Sequence, residues 1–398
     1  MTTKLIQRIN RITHSKEEQE EKLYFKKYAP IFELAYVFFS KHKVLLYGGM
    51  AINELMPKKL KIYSKYKMPD IDVFSMDAIG LAEKLVKFYI SKGYDKVSTS
   101  FTHALHKGTY KVFVNSVQVA DISNVSKMTF KRLSENSHMS RIHIPIVNVQ
   151  FLRMTLHLIL SKGDSDSVQR WERVFKRLLT FYKEFPPKPC AYKATDNNNN
   201  EIIPNEVILE LYKFFQHSEY VLFGLHEVEL ILGKEIDRDP NIAPIHMFVQ
   251  DGDMVSTTHK IKHALHSSIK HHFKVSKVFD ADDFMPKHVI MYYNKKPAII
   301  LYSTNECISY NEYYGIRIAS IHAIVRMFIC MTLTNQPHFE KYANSFECIA
   351  NTLTIVHARK RGRTTKKLFQ DIVENCYGVY PGIITMRKER LMRIQEED

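Results

Sequence analysis

The 398-residue chain carries a net charge of +15, with 45% hydrophobic and 25% charged residues. Its length suits two domains of about 150 to 200 residues each, and its composition excludes a mainly disordered chain. The charge is uneven: residues 1–195 contain 33 Lys and Arg against 17 Asp and Glu, whereas the rest contain 24 against 25. Such a basic half is typical of proteins that bind nucleic acid or nucleotides, and a solvated, lysine-rich surface is the alternative.

The first half alternates helical and strand patterns. Residues 24–40 have helical periodicity and lead into the short strand KVLLY, after which Gly48 and Gly49 form a turn that opens the helix MAINELM. A strand DIDVFS, a helix AIGLAEKLVKFYISKG and the strands TYKVFV and VQVADISNV follow, and then two helices between residues 149 and 182. This order predicts an α/β or α+β core with a mixed sheet.

A second half with a similar pattern follows a predicted linker. The segment FPPKPCAYKATDNNNN stops helical structure, and we place the linker at residues 191–203, between domains at 1–190 and 204–398. After the linker, helix, strand, glycine and helix recur in the same order, and PIHMFVQ stands where PDIDVFS stood. We therefore predict a duplicated domain. It has His246 and Leu301 near the places of acids, so it should be catalytically inactive.

Two aspartates one residue apart raise a physical problem. Asp70 and Asp72 point to the same side of the strand DIDVFS, where their charges repel. A divalent cation resolves the repulsion, and carboxylate oxygens suit Mg²⁺ or Mn²⁺. Asp121 is the one acid in its apolar strand run, VQVADIS, and would complete a set of three acids that can hold two ions.

The glycine pair before these acids suits a triphosphate. Gly48 and Gly49 put no side chain in the way, and a helix that begins there directs its backbone N–H groups at negative charge. Each motif alone is weak, since a glycine pair is most often a tight turn. The combination of Gly-Gly, Asp-x-Asp and a later strand acid is considerably more specific.

The motifs LLYGGMAIN, PDIDVFS and VADIS resemble the nucleotidyltransferase superfamily of DNA polymerase beta. The larger set of motifs, which adds HKGTY, RMTLHLILS and RWERVFKRL, resembles the poly(A) polymerase catalytic subunits of large nucleocytoplasmic DNA viruses. The resemblance covers residues 24–185. It implies a nucleotidyltransferase fold, followed here by the degenerate copy. The spacing from Gly49 to Asp70 is longer than is usual in the broad superfamily and fits the viral branch better.

The resemblance also implies an activity and the residues that carry it out. Two Mg²⁺ or Mn²⁺ ions on Asp70, Asp72 and Asp121 would activate the RNA 3′-hydroxyl and hold ATP, so that AMP is added and pyrophosphate leaves. Nucleotide contacts would come from the glycine pair and from Arg153, His157 and Lys176. The alternatives are a core histidine for His157 and a solvated helix face for Lys176.

A cluster of six cations stands in the run HARKRGRTTKK, and RNA phosphates are its expected partner. Its members are Arg359, Lys360, Arg361, Arg363, Lys366 and Lys367. A nuclear localisation signal and a solvated loop are the alternatives.

The expected function is therefore template-independent polyadenylate synthesis. Its rivals are nucleotide transfer to a non-RNA acceptor and a non-catalytic RNA-binding or processivity module. The expected partners are RNA and ATP, with either a homodimer or a viral processivity subunit, and no membrane. Five scattered cysteines without a CxxC pair, and an N-terminus without an apolar core, favour a soluble intracellular protein. For a viral protein this means the host cytoplasm or the virion.

Overall fold

The computed structural model describes residues 2–163, 168–188, 203–216, 218–233, 242–359, 373–378 and 383–397. The chain divides into two compact units, one formed by Met1–Leu152 with Ile383–Asp398 and the other by Arg153–Gly382. Of the predicted linker, residues 191–202 lie outside the described residues. The predicted domain boundaries at 1–190 and 204–398 therefore stay a prediction.

The first unit alternates helices and strands as the sequence predicts. Its elements are α1 (Thr2–Ser40), β1 (Leu45–Leu46), α2 (Gly48–Leu55), β2 (Ile71–Ser75), α3 (Ala78–Ser91), β3 (Thr99–His103), β4 (Thr109–Val114), β5 (Val117–Asn124), α4 (Lys127–Ser134), β6 (His138–Met139) and β7 (Pro145–Ile146). A single 3-10 turn, Lys58–Leu60, lies in the basic loop before β2. Helix α5 (Val149–Leu160) begins in this unit.

The two faces of strand β2 differ in burial because side chains alternate along a strand. Ile71 and Val73 are fully buried, and helix α3 packs on this sheet. Asp72, between them, points to the opposite face and remains partly exposed. Asp77 caps α3 by accepting a hydrogen bond from the backbone N–H of Gly80 at 3.0 Å, which fixes where the helix begins. The apolar alternation thus directs the acids away from the core.

The sheet of the first unit has seven strands in the order β3-β4-β5-β2-β1-β7-β6. The β2/β5 and β1/β7 pairs are parallel, and the other neighbours are antiparallel. The sheet is therefore mixed, as predicted. Two strands that carry acids, β2 and β5, are direct neighbours at its centre.

The second unit contains the remainder of α5 and most of the later elements. These are α6 (Val168–Glu184), α7 (Asn205–Phe215), β8 (Val221–Gly224), α8 (Leu225–Leu232), β9 (Ile245–Gln250), α9 (Met254–Ala264), α10 (Ser267–Lys270), β10 (Phe273–Val275), β11 (His288–Tyr293), β12 (Lys296–Thr304), β13 (Ile308–Tyr313), β14 (Ile316–Ala319), α11 (Ile321–Leu333), α12 (Pro337–Glu340), α13 (Ala343–Arg359) and β15 (Cys376–Tyr377). The last helix, α14 (Ile383–Glu397), belongs to the first unit.

The second sheet repeats the first strand for strand. Its order is β10-β11-β12-β9-β8-β14-β13, with β15 added at one edge. The pairs β9/β12 and β8/β14 are parallel and the other neighbours are antiparallel, so every pairing has the same sense as its counterpart in the first sheet. The helices that flank β8 and β9 also follow the order seen around β1 and β2. The predicted fold class is confirmed, and the second copy has the topology of the first.

A disulfide joins Cys307 to Cys376 within the second unit. The scattered cysteines did not reveal this pair, because the 69-residue spacing carries no sequence signal. Among the described residues, no helix combines the length and the apolar character needed to cross a membrane.

Candidate active site

Three carboxylates meet at the centre of the first sheet. Asp72 on β2 lies directly opposite Asp121 on the parallel neighbour β5, and Asp70 immediately precedes β2. Ligand oxygens of the three side chains lie within 4.8 Å of one another. They form the one group of three potential metal ligands found in the described part of the chain. The structure therefore brings together the three acids that the sequence predicted.

Two further side chains hold these acids, and the motifs did not identify either. The Nζ of Lys111 on β4 donates to both oxygens of Asp121, at 2.9 and 3.1 Å. The amide of Gln118 donates to Asp70 at 2.9 Å and to Asp121 at 2.9 Å. Lys111 supplies one positive charge against three carboxylates. Gln118 bridges two of the acids without adding charge.

Gln118 reaches the acids because strand β5 is irregular. Strict alternation would place residues 118 and 121 on opposite faces of the sheet. The pairing of β4 with β5 shifts between Val112 and Phe113, which leaves one extra residue on β5 between Gln118 and Ala120. This β-bulge turns Gln118 to the face that carries Asp121.

Burial and like charges disfavour ionised carboxylates at this site. Burial, and then the neighbouring Asp70 and Asp121, raise the pKa of Asp72 well above its usual value. Burial also raises the pKa of Asp121, although the hydrogen bond and charge of Lys111 oppose the shift. One lysine does not balance three acids, so the site favours an additional positive group.

The turn between β1 and α2 comes very close to Asp72. Gly48 has a φ of +72°, a conformation that glycine adopts without strain. A Cβ on Gly48 would lie 2.2 Å from Oδ2 of Asp72, and one on Gly49 would lie 2.1 Å from the hydroxyl oxygen of Tyr63. Tyr47, which precedes α2, provides no side-chain cap for the helix. The first turn of α2 therefore begins beside Asp72, and the start of a helix favours an anionic ligand.

The residues fit a pair of hard divalent cations. All three ligating groups are carboxylates, and two are held by hydrogen bonds that fix their orientation. Their mutual repulsion, together with burial, is the arrangement that a cation would relieve. The chemistry of the donor set favours Mg²⁺ or Mn²⁺ over zinc, since it contains neither cysteine nor histidine.

Arg153 and His157 lie in the second unit and are buried there, with 8% and 4% of their surfaces exposed. Arg153 donates to the backbone carbonyl of Phe185 at 2.7 Å, and its guanidinium lies over the Tyr182 ring. The two ring nitrogens of His157 contact the Tyr182 hydroxyl at 2.6 Å and a ring nitrogen of His322 at 2.8 Å. This network agrees with the core histidine alternative, and the nucleotide-binding role stays a prediction.

Among the other predicted contact residues, Lys176 is the one whose side chain the structure describes. Lys176 is exposed on α6 and forms an ion pair with Glu172 one turn earlier, as the solvated-face alternative requires. In the basic run, Arg359 ends α13 and its side chain is not described, while Lys360, Arg361, Arg363, Lys366 and Lys367 lie outside the described residues. Their predicted roles stay predictions.

Comparison with protein families supports the resemblance drawn from the motifs. Residues 33–165 match the family described as poly(A) polymerase catalytic subunit. Proteins of this name from African swine fever virus are 27% to 32% identical over 178 residues, and one from Acanthamoeba polyphaga mimivirus is 28% identical over 161 residues. These segments cover 43% and 39% of this chain. They span only 36% and 26% of the relatives' lengths.

The similarity of fold extends further than the similarity of sequence. The crystal structure of the Megavirus polyadenylate synthase matches 99% of this chain and 83% of its own, with a TM-score of 0.77 and 16% identity. This match shows a shared two-sheet fold. The resemblance to viral poly(A) polymerase catalytic subunits is therefore confirmed over residues 33–165, the segment that contains the glycine pair and all three acids.

Proposed function

We propose that this chain is a template-independent polyadenylate polymerase, which transfers AMP from ATP to the 3′ end of RNA and releases pyrophosphate. The observation that carries the proposal is the meeting of Asp70, Asp72 and Asp121 beside the first turn of α2. Metal-dependent nucleotide transfer requires an acidic cluster and a phosphate cradle side by side. The family and fold similarities support the same activity.

Each residue has a role in this proposal. Asp70 and Asp72 would hold two divalent ions, either Mg²⁺ or Mn²⁺. Asp121 would complete the site at which the RNA 3′-hydroxyl is placed. When bound, the ions neutralise the triphosphate and lower the pKa of the attacking hydroxyl. Gly48 and Gly49 let the triphosphate approach the backbone N–H groups of α2. Gln118 and Lys111 keep the carboxylates oriented.

The proposal extends to partners and location. RNA would be held by the basic first half and by the run from Arg359 to Lys367. Because some relatives are called catalytic subunits, a second subunit is a natural partner, and a homodimer is the other arrangement. If this chain is viral, as its relatives are, the activity would take place in the host cytoplasm or the virion.

The test is extension of a labelled oligoribonucleotide by the full chain with Mg²⁺ or Mn²⁺ and each of the four NTPs separately. We expect a ladder with ATP alone. The Asp70→Ala/Asp72→Ala variant and the Asp121→Ala variant should each lose activity by several orders of magnitude while keeping the wild-type circular dichroism spectrum.

Two results would contradict the proposal. Near wild-type activity in the Asp121→Ala variant would remove Asp121 from the catalytic site. The other result is turnover of labelled ATP without RNA extension. If the same substitutions abolish this turnover, the three acids catalyse nucleotide transfer to an acceptor other than RNA.

A further inference from the structure

The second sheet carries a counterpart of the active site at an identifiable place. Gly224 ends β8 and precedes α8, as Gly48 follows β1 and opens α2. Phe223 stacks on Phe248 at 4.6 Å between ring centroids, as Tyr47 stacks on Phe74 at 4.0 Å in the first unit. These matches fix the register between the two copies.

In this register the catalytic acids have been replaced. Tyr47 faces Asp72 across its strand pair, and Phe223 faces His246, so His246 stands where Asp72 stands. Ile300 lies directly opposite His246, as Asp121 lies opposite Asp72. The copy was predicted to have His246 and Leu301 near these places. His246 does occupy the place of Asp72. The place of Asp121 is taken by Ile300, because Leu301 points to the other face, into the core beneath α7 and α9.

A cavity of about 260 Å³ lies at this equivalent site. His246 and Ile300 line it, and so does Ile290, which pairs with Ile300 as Lys111 pairs with Asp121. Four aromatic residues supply much of the remaining wall: Tyr292, Phe339, Tyr342 and Phe346. In place of the carboxylates, the second copy therefore has a cavity lined mainly by aliphatic and aromatic side chains.

Six of the lining side chains carry a polar group, and they differ in depth: His246, Tyr292, Lys295, His338, Lys341 and Tyr342. His246 is fully buried, its Nδ1 lies 2.9 Å from the Tyr302 hydroxyl, and its Nε2 has no hydrogen bond of ordinary geometry. Burial lowers the pKa of His246 to about 3, so the ring is neutral and can donate or accept one hydrogen bond. Lys295 and Lys341 also line the cavity, and both are exposed.

From this arrangement we propose that the second unit binds one unpaired nucleotide, with its base in the cavity and its phosphate at Lys295 and Lys341. Pockets for drug-sized ligands measure about 300–1,000 Å³, so a cavity of about 260 Å³ suits a base without its ribose. Aromatic walls bind bases of unpaired nucleotides by stacking, and lysines bind phosphate as point charges. The nucleotide can come from a free monophosphate or from an RNA chain.

Photo-crosslinking tests this proposal on the full chain. Two probes are used separately: 8-azidoadenosine monophosphate, and an oligoadenylate with one 8-azidoadenine. Labelled peptides are mapped by mass spectrometry. We expect label on the peptides that contain Tyr292 or Tyr342. Label from the monophosphate assigns the site to free nucleotide, whereas label from the oligoadenylate alone assigns it to RNA. No label on these peptides from either probe would overturn the proposal.

Matched variants separate this site from the first one. Lys295→Ala/Lys341→Ala should weaken about tenfold the binding of the probe that labels the cavity, whereas Lys260→Ala/Lys274→Ala, which removes the same charge from exposed positions, should not. Equal weakening by both pairs would indicate a nonspecific charge effect and contradict the proposal. Labelling should persist in Asp70→Asn/Asp72→Asn. The second site is therefore judged by labelling, whether or not the chain polymerises adenylate.

Discussion

The position of Asp72 among other acids should lower the stability of the folded chain. Asp72 lies partly buried beside two other acids, and Lys111 contributes one positive charge through its contact with Asp121. We predict that Asp72→Asn raises the melting temperature by roughly 2–4 °C in the presence of a chelator, equivalent to about 1 kcal/mol, because one repulsive charge is removed. Thermal melts of wild type and variant measure the difference.

The same melts with Mn²⁺ supply the control. A cation that binds only the folded site stabilises it by mass action. Mn²⁺ should therefore raise the melting temperature of the wild type and have much less effect on Asp72→Asn. An equal increase in both proteins would place the cation elsewhere.

Gly48 allows a matched pair of substitutions. Gly48 and Gly93 both have positive φ, at +72° and +89°, but a Cβ meets Asp72 only at Gly48 and meets nothing within 4 Å at Gly93. Each Gly→Ala change should cost about 1–2 kcal/mol from the left-handed conformation. Only Gly48→Ala should also reduce AMP incorporation, because it displaces the Asp72 carboxylate. Similar activities of the two variants would show that the close approach does not matter.

Gln118 links two of the acids and can be tested by its effect on metal use. Gln118→Leu removes both hydrogen bonds while keeping a similar volume. Loss of such supporting contacts typically costs about 10–100-fold in metal affinity or activity. We expect the Mn²⁺ concentration for half-maximal activity to rise within that range. Gln169→Leu, at an exposed position on α6, should leave it unchanged.

At the scale of helices and strands, site residues can be predicted from the sequence where side chains follow a regular periodicity. Alternation along DIDVFS predicted that Asp70 and Asp72 share a face, and the structure places them so. Gln118 was missed because the bulge in β5 breaks that alternation, and a bulge has no residue signature here. Lys111 was missed because its importance depends on which strand pairs with β5, and pairing is a non-local property.

The strands β9 and β11 hold two buried histidines, His246 and His288, and His338 on α12 hydrogen-bonds to the second of them. Burial lowers the pKa of His246 to about 3 and that of His338 to about 4, and it also lowers the pKa of His288. In an unfolded chain these rings take up protons near pH 6.5. Between these values the unfolded state binds more protons, so the free energy of unfolding falls as the pH falls.

We predict that His246→Phe reduces this acid sensitivity. One such histidine accounts for about 2 kcal/mol of lost stability between pH 7 and pH 5, at about 1.4 kcal/mol per pH unit below 6.5. Urea unfolding at the two pH values measures the difference. His259→Gln, on the exposed face of α9, should keep the wild-type difference. An unchanged difference in His246→Phe would mean that His246 is already protonated at pH 5.

At the scale of the whole molecule, the two sheets share one topology. This explains why the duplication could be predicted from the sequence and why the residue-by-residue register between the copies could not. The repeated order of helix, strand, glycine and helix follows from the shared topology, so the second copy of the pattern could be predicted although the boundaries of its domain stay a prediction. The register was harder to predict, since the spacing between paired strands differs: Asp72 and Asp121 are 49 residues apart, but His246 and Ile300 are 54 apart. The extra residues lie in loops that the pattern does not constrain.

The charge of the whole chain supports a final prediction about RNA. Each phosphate contact on single-stranded nucleic acid contributes about 0.7 to the slope of log affinity against log salt. Neutralising Arg359, Lys360, Arg361 and Arg363 together should weaken oligoribonucleotide binding and lower that slope by up to about 3. Fluorescence anisotropy across a salt series measures both. The matched control removes four exposed or half-exposed lysines of the second unit: Lys260, Lys262, Lys274 and Lys277. If the two fourfold variants behave alike, net charge and not the basic run governs RNA binding, and the run is left to its alternatives, a localisation signal or a solvated loop.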